Sequence, residues 1–80
     1  MAKRTRYTIL IRNDDENDVE EVFDTIRKAF GYDTTQTATA IYEVEEYGQT
    51  TCRVYTDLDK AEFALEILLK AGMDAELLQI

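Results

Sequence analysis

The chain contains no histidine, serine, tryptophan or proline, and its single cysteine is Cys52. Without serine or histidine, no Ser/His/Asp or Cys/His nucleophile can be assembled, and no zinc site of histidines or paired cysteines can be built. A lone cysteine cannot close an intrachain disulfide, which suits a reducing, cytoplasmic compartment. Cys52 lies in an apolar run and reads as a small core residue. No apolar stretch approaches the ~20 residues of a membrane span, and no signal-peptide pattern follows Met1. These absences favour a binding module over an enzyme, with no cofactor implied.

Positive charge is also scarce. Nine basic residues stand against 17 acidic ones, a formal net charge of -8. Phosphate binding needs clustered positive charge, so nucleic acid and anionic membrane are not expected partners. The one basic run, Lys3, Arg4 and Arg6, falls on residues 1–6, which read as a short, solvated, flexible tail. The remaining span, 7–80, makes one domain. A chain of 80 residues buries only about 60% of the surface its unfolded form exposes. That leaves room for one modest core and a surface groove.

The apolar pattern divides this span into six elements. Tyr7-Thr8-Ile9-Leu10-Ile11 is β-branched or aromatic apart from one leucine, the composition of a strand buried on at least one face. Val19, Val22, Phe23, Ile26 and Phe30 then recur at helical spacing over 18–30. Acidic residues lie in the first turns of that helix, Arg27 and Lys28 in its last, and Gly31 follows as a C-cap. Asp33 or Thr34 can cap a second helix over 34–46, with Thr37, Ala40, Ile41 and Val44 on one face. Tyr47-Gly48-Gln49 turns into a strand over 50–55, with Cys52 and Val54 expected on one face and Arg53 and Tyr55 on the other. Thr56 or Asp57 caps a third helix carrying Leu58, Ala61, Leu65 and Leu68 on one stripe, and Gly72 stops it. Alternation over 75–80 predicts a third strand. Three strands cannot cover themselves, so the expected fold is α+β, in the order β-α-α-β-α-β, with the helices packed on one face of an antiparallel sheet.

Asn13-Asp14-Asp15 marks the corner between the first strand and the first helix. Asn and Asp bond to nearby backbone, so a structural turn accounts for them without any function. A calcium loop does not. An EF-hand started at Asp14 needs glycine at position 19 and glutamate at position 25, where the chain has Val19 and Thr25.

Tyr7 to Ile11 followed by Asn13-Asp14-Asp15, then Val22, Phe30-Gly31, Glu43-Val44, Gly48, Cys52 and Val54-Tyr55-Thr56, resembles the ClpS adaptors of ATP-dependent Clp proteases. The similarity runs without gaps from about Tyr7 to Thr56. It implies a fold similar to the C-terminal domain of the bacterial ribosomal stalk protein, and a non-enzymatic activity. Such an adaptor captures N-degrons, substrates with a bulky apolar N-terminal residue, and hands them to the N-terminal domain of a Clp/Hsp100 AAA+ unfoldase. The resemblance implies that Asn13 and Asp14 receive the α-ammonium or the first peptide group, while Asp15 orients the turn. It also implies that Asn17, Val19, Val22, Ile41 and Val44 line the hole for the first side chain, closed by Ala75 from the last strand. An ammonium is a cation with three donors, so oxygen acceptors at the rim of an apolar hole suit it.

Three departures from the family pattern bear on this. Glu45 stands where a histidine is typical; a carboxylate also accepts from an ammonium, with a full opposite charge. Val19 stands where methionine is common, which reshapes the pocket. Only residues 1–6 precede the first strand, where the family usually has a longer extension that the unfoldase engages. Glu45 and that tail support a second reading, an interaction module of the same fold that has lost N-degron binding or delivery. An enzyme using carboxylates alone ranks third, because nothing pairs an acid and a base with an oxyanion site.

Overall fold

The computed structural model describes residues 5–14 and 16–80. Its elements run β1 (Tyr7–Arg12), α1 (Val19–Phe30), α2 (Thr34–Tyr47), β2 (Gln49–Tyr55), α3 (Leu58–Lys70) and β3 (Ala75–Gln79). The sheet order is β2-β1-β3, and β1 pairs antiparallel with both neighbours. This is the α+β architecture, β-α-α-β-α-β, expected from the apolar pattern. The most apolar strand takes the centre, where both of its edges are hydrogen-bonded.

The core lies between the sheet and the helices. Ile9, Ile11 and Cys52 from the sheet meet Ile26 and Phe30 of α1, Ala40 of α2 and Ala64 and Leu68 of α3, with Met73 at one end. The small residues of α3 let that helix approach β1 closely. Each helix start is capped by an aspartate. Asp18 accepts from the Glu20 N–H, Asp57 from the Asp59 N–H, and Asp33 forms a reciprocal box with Gln36. Each such cap is worth about 1 kcal/mol. Where the sequence left two candidates for the later helices, the aspartates Asp33 and Asp57 cap and Thr34 and Leu58 begin the helix.

One expectation fails in β2. Cys52 and Val54 do not share a face, because the register to β1 slips between Thr8 and Ile9: Thr8 faces Val54 while Ile9 faces Cys52. Arg53 is the extra residue of a β-bulge, in the left-handed region at φ 54°. Two residues of β2 therefore oppose one step of β1, which turns Val54 outward (55% exposed) and Tyr55 toward the core. The bulge is tied down from both sides. The Thr8 hydroxyl donates to the Arg53 carbonyl at 2.7 Å, and the Arg53 guanidinium donates to the Phe30 carbonyl at 2.7 Å. That second bond satisfies an orphan carbonyl at the C-terminus of α1 and places the cation 5.9 Å from the Tyr32 ring centre.

Candidate functional site

Three corners of the fold converge at one end of the sheet. The Arg12 N–H donates to the Asp74 carbonyl at 2.9 Å, and the Asn13 N–H donates to the Gly48 carbonyl at 2.8 Å. The β1–α1 corner is thereby pinned between the α3–β3 corner on one side and the end of α2 on the other. Where the three meet, the helices stop covering the sheet and a hollow of about 60 Å³ opens.

The bottom of this hollow is core. Ile11 and Ile26 are almost wholly buried, and Val22, Ile41 and Val44 build the walls from α1 and α2. Val19, 59% exposed at the first position of α1, forms the rim. Oxygen-bearing side chains ring the mouth: Asn13, Asp14 and Asn17 from the β1–α1 corner and Glu45 from the last turns of α2. Arg12 is the one basic residue in the lining, and its guanidinium is already engaged by Asp74 at 3.2 Å and by Glu76. Those two hydrogen bonds raise its pKa further above an already high ordinary value, so it stays charged and paired with the two carboxylates.

The corner is organised by Asp14. One of its oxygens accepts from the Glu16 N–H at 2.8 Å, an Asx turn, and the other accepts from the Asn17 amide at 2.6 Å. The same amide donates to the Gly72 carbonyl at 3.1 Å. Asp14 thus orients the turn, a role the resemblance assigned to Asp15, which lies outside the described residues. A carboxylate has about four lone-pair sites, so Asp14 keeps acceptor capacity beyond these two bonds. Among the described residues, neither Asn13 nor Glu45 has a side-chain hydrogen bond or ion pair, and their oxygens remain open to a ligand.

Asn13, Asp14, Asn17, Val19, Val22, Ile41, Val44 and Glu45 therefore all border one hollow. Ala75 does not. It pairs with Ile11 in the sheet and packs against the core, and Met73 closes that side of the hollow instead. Met73 escaped the sequence reading because it belongs to no periodic segment. The signal for it was the preceding glycine: Gly72, at φ 81°, ends α3 in a Schellman motif. The Gly72 N–H reaches the Leu69 carbonyl at 3.0 Å, and the Met73 N–H reaches the Leu68 carbonyl at 3.1 Å. In that motif the residue after the glycine habitually tucks back against the last turn of its helix, here near Leu68.

A family model for the ATP-dependent Clp protease adaptor protein ClpS matches residues 2–77. The chain belongs to the ClpS family. Its general role is that of a Clp protease adaptor, and ClpS proteins are adaptors rather than enzymes. Among the described residues of this ClpS protein, no group of three or more His, Cys, Asp or Glu side chains converges as a metal site. No described helix is long and apolar enough to cross a membrane.

Proposed function

We propose that this ClpS protein holds the N-terminal residue of a protein substrate in the hollow between α1, α2 and the α3–β3 corner, and delivers that substrate to the N-terminal domain of a Clp/Hsp100 unfoldase in the cytoplasm. One observation carries the reading. An apolar hollow of about 60 Å³ opens at a mouth ringed by acceptor oxygens, and its single guanidinium is already paired. A chain N-terminus is the one place on a polypeptide where a full positive charge with three donors sits within two bonds of an apolar side chain. The first side chain fills the hollow, and the ammonium meets Asn13, Asp14 and Glu45 at the mouth. Internal peptide segments and acetylated termini lack that cation.

Titrating a peptide that begins with leucine, with its N-terminus free or acetylated, tests this. The free amine gains charge-assisted hydrogen bonds worth about 1.5–3 kcal/mol, so acetylation weakens binding by roughly tenfold to a hundredfold. Equal affinity for both peptides overturns the proposal.

The interaction-module reading keeps one specific support, the engagement of both Asp14 oxygens by its own turn. In that reading the corner serves the fold alone, the free and acetylated peptides behave alike, and a Clp unfoldase still binds the protein.

A further inference from the structure

The walls of the hollow differ in stiffness. Ile11, Val19, Val22, Ile26, Ile41 and Val44 are all β-branched, with χ1 restricted by two heavy atoms on Cβ. Met73 is the single unbranched apolar residue in the lining, with three rotatable bonds. Its backbone cannot shift easily, since its N–H is held by Leu68 and the neighbouring Gly72 carbonyl by Asn17. Any give in this wall is therefore side-chain rotation at Met73.

Met73 also has space to rotate into. Its other side borders an open polar groove lined by Asn13, Asp14, Glu16, Gly72 and Asp74. Met73, 7% exposed, borders both the hollow and that groove. The resting hollow, about 60 Å³, is less than half the size of an engineered protein cavity of about 150 Å³ that seats benzene. The bulkier the first side chain, the more the wall must yield, least for Val and most for an aromatic ring.

We propose that Met73 is a movable partition that decides which first residues this protein accepts: closed, it leaves space for Val, Ile and Leu; rotated into the groove, it admits Phe and Trp. This deepens the N-terminal-residue reading and rests on it. The rotated thioether then lies against the ring of the ligand, a contact that sulfur makes favourably.

The test uses four peptides identical beyond a first residue of Val, Leu, Phe or Trp. Wild-type protein binds all four. Met73→Ile keeps the volume but stiffens χ1, so the affinities for Phe and Trp fall by about tenfold or more relative to those for Val and Leu, the scale on which one misfitting group is rejected. A change common to all four peptides, or no change, overturns the proposal, as does wild-type protein that binds Val and Leu but neither aromatic. A second measurement needs no variant. The 13C shift of the Met73 methyl, which follows its terminal torsion, moves when the Phe peptide is added and stays in place with the Val peptide. Identical responses to both peptides count against the partition. Wild-type protein that binds none of the four removes the N-terminal-residue reading itself, and the partition falls with it.

Discussion

Asn17 and Gly72 are 55 positions apart in the chain, yet the Asn17 amide donates to the Gly72 carbonyl at 3.1 Å while also donating to the Asp14 carboxylate at 2.6 Å. This one side chain spans the gap between the β1–α1 corner and the α3–β3 corner. The hollow lies between those two corners and α2, so its width depends on that strut.

Asn17→Ala is therefore expected to cost about 1–2 kcal/mol of stability, the worth of a bond to a charged partner reduced by partial exposure. Asp14→Ala costs a similar amount, because it removes both the Asx turn and the anchor for Asn17. The two changes are not independent: a double-mutant cycle gives a coupling of about 1 kcal/mol. Urea unfolding of the four proteins measures it. Fully additive effects would mean that the bond contributes nothing.

Arg53 offers a separate test of backbone strain. Its φ of 54° is tolerated because the bulge is bonded on both sides. Arg53→Ala and Arg53→Gly both lose the guanidinium that caps Phe30, but only glycine occupies the left-handed region without penalty. The glycine variant is expected to be more stable than the alanine variant by about 1 kcal/mol. Thermal melts of the pair decide it, and an alanine variant that equals or exceeds glycine contradicts the bulge.

Much of the fold was legible because each boundary carries its own chemistry. Asp33 and Asp57 cap the later helices through side-chain oxygens, and the apolar periods switch cleanly between the elements; Asp18, read as part of the first turn of its helix, is the cap before Val19. The bulge was not legible. The alternation from Cys52 to Tyr55 is that of a regular strand, and arginine is no marker of a left-handed residue; only the pairing with Thr8 and Ile9 exposes the extra residue. At the hollow, Val19, Val22, Ile41 and Val44 were readable from spacing as helix-face residues, and only the family resemblance assigned them to a ligand hole; Met73 was placed by a hydrogen-bonded corner rather than by a period. Ala75, named through the resemblance, lies against the core because the sheet register pairs it with Ile11.

Cys52 makes stability depend on alkaline pH. Burial, reinforced by the negative charge of Glu43, pushes its thiol from 9.0 up to about 12. Above pH 9 the unfolded chain loses this proton and the folded chain keeps it, so the unfolded state binds fewer protons and stability falls as pH rises toward 12. The slope from this one group reaches at most about 1.4 kcal/mol per pH unit. Tyr32 and Tyr55, also raised mainly by burial, steepen the decline at higher pH. Urea unfolding at mild and strong alkalinity is expected to show a shallower decline for Cys52→Ala than for wild type. Parallel declines would mean that the thiol ionises as easily in the fold as out of it.

Glu45 stands at the mouth with no partner among the described residues. As an exposed acceptor for an ammonium it contributes about 0.2–1 kcal/mol, and salt screens that contribution. Glu45→Gln is expected to weaken a free-amine peptide by that amount at low salt and by less at high salt, and Glu45→Lys to weaken it further by repulsion. Peptide affinities for both variants that match wild type would make Glu45 a solvated charge at the end of α2.

The central claim is that a free N-terminus docks at the oxygen-ringed mouth with its side chain in the hollow. Amide and methyl NMR of the labelled protein, titrated with a leucine-first peptide, tests it most directly. The account predicts saturable shifts at Asn13, Asn17, Val19, Val22, Val44 and Met73, and a titration midpoint roughly tenfold to a hundredfold higher when the peptide is acetylated. Shifts confined to other surfaces, or the same titration midpoint with the acetylated peptide, would contradict it.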